Sequence, residues 1–230
     1  MAAFQQILDH KVPGVELDVH MCKSGELVVT HDSNLKRVTG LDADVEDTHW
    51  EQIRELEAGS WFSESYRGER IPLLEDVLDL LDDKVYYDIE LKQLRGRYGP
   101  LEEKIAQLIT RRGLQDRVMV SSFDPLSIRR LRHFDHGLHT AHIYSDYEEV
   151  PRFLRNGAGR FLCNPQVLKP NRFKINRNTL FFKQRLEGYP LITWTEDERE
   201  KVDELLKMGV DGVITNVPEQ LVSLFQLYWN

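Results

Sequence analysis

Two short runs hold the residue types that can do chemistry. In GVELDV, residues 14–19, successive side chains alternate, so Val15, Leu17 and Val19 share one face and Glu16 and Asp18 the other. In YYDIELK, residues 86–92, Tyr87, Ile89 and Leu91 are likewise set against Asp88, Glu90 and Lys92. The apolar faces must be covered, which sends both charged sets the other way, into an interior. Like charges in a low-dielectric interior are costly unless a cation or donors compensate them. Three or more carboxylates gathered there suit a hard divalent ion, Mg2+ or Ca2+, better than zinc, because every donor is oxygen. The plainer alternative for one inward acid is a salt bridge, for example with Lys92. His31 ends the run KSGELVVTHD and is expected beside these acids, where a metal site needs a proton donor. Its plainer alternative is a turn histidine hydrogen-bonded by Asp32. Trp194 closes LITWT in phase with Ile192, as a pocket wall or as core. Of the other histidines, only His20 is in phase with Glu16 and Asp18.

Such groups need a sheet whose strand ends converge. Strand-like runs over 14–19, 85–91, 118–122, 138–144, 160–163, 190–194 and 212–215 alternate with helical patterns over 2–10, 73–81, 101–112, 125–134, 147–155, 172–186, 197–208 and 218–227. That alternation predicts an α/β chain with a mainly parallel sheet, and at this length a (β/α)8 TIM-type barrel. Seven strands are one too few, and the pattern opens on a helix, so the expectation is a first strand missing ahead of Met1. Residues 27–30 follow the Ser24-Gly25 turn too closely for a parallel crossover and are expected to return as an antiparallel arm. Residues 33–72 form an irregular stretch, read as a cap insertion at the barrel mouth. No linker interrupts the chain, so 1–230 is expected to be a single domain.

The chain has 230 residues, 41% of them hydrophobic and 30% charged, enough for a buried core in a soluble protein. Its 30 Lys+Arg against 38 Asp+Glu give a formal charge of −8. That balance argues against a general nucleic-acid or anionic-membrane surface and leaves room for a local phosphate pocket. Cys22 and Cys163 lie far apart in no CxxC pattern, so neither a disulfide scaffold nor structural zinc is indicated. No apolar run approaches the ~18 residues of a membrane span. The opening MAAFQQILDHK lacks signal-peptide character, and a cytoplasmic location is expected.

The runs GVELDVHMCKSGELVVTHDSNLKRVTG, LEAGSWFSESYRGERIPLLEDVLDLL, YYDIELK and LITWTEDEREKVDELLKMGVDGVITNVP, in that order, resemble the glycerophosphodiester phosphodiesterase family. The resemblance covers nearly the whole chain. It implies a TIM-type barrel of the PLC-like phosphodiesterase kind with a small insertion, and metal-dependent hydrolysis of glycerophosphodiesters to an alcohol and glycerol 3-phosphate. The metal ligands fall on Glu16, Asp18 and Glu90. Lys92 matches the phosphate-contacting lysine, and His31 one of two acid/base histidines. Family members begin with a strand ending in His-Arg-Gly and a loop ending in Pro-Glu-Asn-Thr. Neither precedes Met1, so the other histidine, a phosphate-binding arginine and a pocket glutamate have no counterpart here. Loss of a general acid or base typically costs ~10²- to 10⁴-fold, and the chain is expected to hold metal yet turn over slowly. The implied partner is a small-molecule glycerophosphodiester, with no nucleic acid and no integral membrane segment. The alternatives are a lysophospholipase D acting on lipid diesters and a non-catalytic phosphodiester-binding homologue.

Overall fold

Both acidic runs fold as their alternation requires, in a computed structural model that describes residues 1–92 and 100–228. Strand β1 (Gly14–Met21) buries Leu17 and Val19, and the chain returns after Gly25, at φ 102°, as β2 (Leu27–Val29). The arm is antiparallel as expected, with Val19 opposite Val29 and Met21 opposite Leu27. Strand β3 (Tyr86–Leu91) lies parallel to β1, Glu16 opposite Asp88 and Asp18 opposite Glu90. Among the described residues, no strand of this unit lies along the other edge of β1 from Gly14 to Leu17. Helix Leu74–Leu81 turns Leu74, Val77, Leu78 and Leu81 inward. Helix Leu101–Arg112 places Glu102 and Glu103 in its first turn and Arg111 and Arg112 in its last, which suits the helix dipole, and ends at Gly113 with φ 67°.

The stretch 33–72 contains short helical turns, Lys36–Thr39, Val45–Asp47, Trp50–Ile53 and Glu64–Tyr66, and two isolated antiparallel bridges, Asn34 with Asp44 and Glu57 with Arg70. It has its own core, in which Leu35, Val45, Ile53 and Ile71 close on Cys22 and on Val28 of β2. These elements belong to a first compact unit, Met1–Arg117.

The second unit, Val118–Asn230, carries three parallel strands, β4 (Val118–Ser122), β5 (His139–Tyr144) and β6 (Val167–Pro170). A further parallel pair joins β7 (Ile192–Thr193) to β8 (Gly212–Val213). Helix Pro125–Phe134 starts on Asp124, whose carboxylate accepts from the Leu126 N–H, and has Pro125 in its first turn. Helices Arg199–Met208 and Pro218–Phe225 pack Val202 and Leu206 against Leu221 and Leu224.

Three expectations fail here. Residues 160–163 are a helical turn, Arg160–Cys163, and the strand comes later, at β6. Gly159 lies against the His142 ring, where a Cβ would stand 2.3 Å from Nε2, and Asn164, at φ 45°, ends the turn. Residues 147–155 form only the 3₁₀ turn Arg152–Leu154. The helix expected over 172–186 is broken into Arg172–Lys174, Arg177–Thr179 and a π-helical segment, Leu180–Leu186. Asn176 explains the break after Lys174, since its side chain takes up the N–H groups of Asn178 and Thr179 and starts a new turn there. No helix among the described residues is long and apolar enough to cross a membrane.

Candidate metal and phosphate site

Glu16 and Asp18 stand two residues apart on β1, and the parallel register sets Glu90 of β3 opposite Asp18. Their carboxylates converge, with one oxygen from each within 4.8 Å of the others. Glu90 is 7% exposed, so the cluster is a concentration of negative charge with little water to screen it. Asp88, also on the charged face of β3, is not one of the three.

Lys92 answers that charge. Its N–H donates to the Val19 carbonyl at 3.0 Å, prolonging the ladder, and Nζ lies 2.6 Å from Glu90 Oε1 and 3.0 Å from Asp18 Oδ1. Burial opposes the ammonium charge, but Glu90 and then Asp18 outweigh it and raise the Lys92 pKa. The two alternatives read from the sequence, an oxygen-ligand cluster and a lysine salt bridge, therefore occur together.

His31 is delivered to the same strand by the returning arm. The Thr30 N–H donates to the Asp18 carbonyl at 3.1 Å, and His31 Nδ1 is 2.8 Å from Asp32 Oδ1. Asp32 also accepts from Arg37 Nε at 2.5 Å, and the Arg37 guanidinium lies 4.7 Å from the Trp61 ring centre. The Arg37 hydrogen bond is the main reason the Asp32 pKa is drawn down to about 2, burial opposing it and His31 assisting. An ionised Asp32 favours a proton on His31 Nδ1 and leaves Nε2 as the ring nitrogen available for proton transfer. The His31 side chain is 69% exposed, beside an open depression lined also by Asp32, Ser33, Asn34, Lys36 and Arg37.

His20, which sequence reasoning only set in phase with the acids, is buried. Its Nε2 lies 3.4 Å from the His31 carbonyl, and its pKa falls to about 4 because burial disfavours the imidazolium. Trp194 belongs to the second unit, where its Nε1 donates to the Lys169 carbonyl at 2.9 Å. Its ring meets Phe123 and Tyr147 edge-on, at 5.6 and 5.9 Å between centres. It is thus part of an aromatic cluster at the end of β7.

Similarity to known proteins shows the family of the chain. The sequence profile of the Glycerophosphoryl diester phosphodiesterase family matches residues 1–220. The chain belongs to that family, whose enzymes are phosphoric diester hydrolases. A glycerophosphodiester phosphodiesterase of Caldanaerobacter subterraneus subsp. tengcongensis is 34% identical over 225 residues, covering 97% of this chain and 90% of the relative. Among solved structures, an Oleispira antarctica phosphodiesterase in complex with the product sn-glycerol-3-phosphate superposes with a TM-score of 0.82. It is 21% identical, over 98% of this chain and 90% of that one. A glycerophosphoryl diester phosphodiesterase homologue from Silicibacter pomeroyi gives the same TM-score at 23% identity, over 99% and 88%. The likenesses place the chain in the TIM-type α/β fold class expected from its alternation.

Proposed function

We propose that the protein hydrolyses glycerophosphodiesters to an alcohol and glycerol 3-phosphate at the Glu16, Asp18 and Glu90 cluster, with a bound divalent ion. The observation that carries this is the meeting of three carboxylates, with Lys92 among them, in a chain of this family. The all-oxygen donor set fits Mg2+ or Ca2+. Such an ion supplies charge neutralisation at the phosphate and activation of the attacking oxygen.

In this reading Lys92 leaves its carboxylate partners for the phosphate and stabilises negative charge developing there. His31, oriented through Nδ1 by Asp32, moves a proton at Nε2, to the leaving alcohol or from the attacking group. The unbroken match over residues 1–220 supports one catalytic domain carrying a cap insertion at about 33–72.

The test is release of glycerol 3-phosphate from glycerophosphocholine with Mg2+, with Ca2+ and with chelator, by the wild type and by Glu90→Gln. The expected result is metal-dependent release that Glu90→Gln abolishes, together with a metal-induced rise in Tm that the variant lacks. Unchanged metal-dependent turnover in Glu90→Gln would remove Glu90 from the ligand set. A Tm indifferent to either ion would reduce the cluster to a salt-bridge network.

A further inference from the structure

Residues 151–186, all in the second unit, contain nine Lys and Arg side chains and no Asp or Glu, whereas the rest of the chain holds the remaining 21 basic residues and all 38 acidic ones. Within this span Phe153, Phe161, Phe173, Phe181 and Phe182 are 50–79% exposed, with Leu162 and Leu186 exposed beside them. Normal core formation buries phenylalanine, so five exposed in 36 residues is a strong departure.

Ionic and polar contacts tie these turns together. Arg160 spans to Glu187 with contacts of 2.8 and 3.0 Å, Lys183 reaches the same carboxylate, Arg172 pairs with Glu196 at 2.5 Å, Lys174 pairs with Asp146 and donates to Asn156 Oδ1 at 3.1 Å, and Lys169 is buried. The Arg160 and Arg172 guanidinium groups lie 4.0 and 4.5 Å from the ring centres of Phe161 and Phe173. Arg152, Arg177 and Arg185 are exposed and have no carboxylate partner among the described residues.

We propose that this basic, phenylalanine-rich face docks the protein on an anionic phospholipid surface. Cations attract the anionic headgroups, while exposed Phe and Leu side chains enter the boundary between headgroups and acyl chains. The aliphatic members favour lipid over nucleic acid, because leucine offers no plane on which a base can stack. A symmetric dimer through the same face would set unpaired arginines against one another. The proposal stands apart from the assignment of the active site and would hold for any soluble substrate.

The test is co-sedimentation of the full chain with phosphatidylcholine vesicles and with vesicles containing 30% phosphatidylglycerol, at low and high salt. We expect binding to the anionic vesicles only, reversed by salt. The triple variant Arg152→Glu, Arg177→Glu, Arg185→Glu should weaken it at least ~100-fold, from about fivefold per cation removed. A second variant, Phe153→Ser with Phe161→Ser and Phe182→Ser, should weaken it while leaving hydrolysis of glycerophosphocholine unchanged, which also reports correct folding. The conservative triple Arg→Lys change should retain binding. Failure of the wild type to bind anionic vesicles at low salt, or equal binding to neutral ones, would overturn the proposal. So would concentration-dependent dimerisation or RNA binding lost in the same variants with no vesicle binding.

Discussion

Lys92 sets the electrostatic state of the site before any ion arrives. With Nζ 2.6 Å from Glu90 and 3.0 Å from Asp18, it is a counter-charge to two of the three carboxylates that share this partly buried space. Removing it takes a cation from beside Glu90 and Asp18, and removing one partner of a buried ion pair costs about 3 kcal/mol or more. We therefore expect Lys92→Met to lower the Tm of the metal-free protein and to gain more from added Mg2+ or Ca2+ than the wild type does. Equal metal-induced shifts in the two proteins would mean that Lys92 and the ion do not compete for the same oxygens. Period-two alternation made an inward set of carboxylates legible, Glu16 and Asp18 on one strand and Asp88 and Glu90 on the other, and the resemblance to the family narrowed it to Glu16, Asp18 and Glu90. The Lys92 salt bridge was legible too, since Lys92 shares the charged face of β3 with Glu90, but its reach to Asp18 as well depends on the register of β3 against β1. His20 escaped for a similar reason. Its phase was visible, but its contact with the His31 carbonyl depends on where the returning arm lies.

At the scale of elements, His31 rests on a relay through the cap. Trp61 supports Arg37, Arg37 holds Asp32, and Asp32 holds His31. The turn carrying Trp61 depends on Gly59, where a Cβ would stand 1.9 Å from the Tyr66 carbonyl oxygen, a backbone atom that cannot rotate away. Gly59→Ala must therefore displace the turn, and we expect a loss of about 2 kcal/mol or more in urea unfolding, with reduced turnover at unchanged metal affinity. Wild-type stability in that variant would show that the cap backbone yields easily. Alternation gave β1, β3, β4 and β5 almost to the residue, because each has apolar side chains on its covered face. It failed at β6, where Lys169 and Pro170 disguise VLKP as a loop although Lys169 is 1% exposed. The apolar RFLC drew the strand assignment instead, although Phe161 and Leu162 both face out, an arrangement that alternation forbids. The helix expected over 172–186 broke because apolar periodicity takes no account of asparagine side chains competing for backbone N–H groups.

Over the whole molecule, buried neutral histidines shape the response to acid. Burial lowers the His142 pKa from 6.5 to about 4. The unfolded chain therefore takes up the proton first, and this contribution to stability is complete above pH 6.5 and is lost as the pH falls toward 4. The loss is on the order of 3 kcal/mol for His142, and His20, shifted to the same degree, adds to it. Urea midpoints measured at pH 7 and pH 4.5 should fall less for His142→Gln than for the wild type, and parallel falls would show that His142 is protonated in the folded protein. The segregation of charge along the chain has a consequence at the purification bench. A protein with a sequence pI of about 5.5 is expected to pass through a cation-exchange column at pH 7.5. Ion-exchange media, however, sense the most favourable face of a molecule rather than its average. With Arg152, Arg177 and Arg185 exposed in a span free of Asp and Glu and without a carboxylate partner among the described residues, this protein should be retained on sulfonate resin at low ionic strength and on quaternary-amine resin as well, eluting from each with salt.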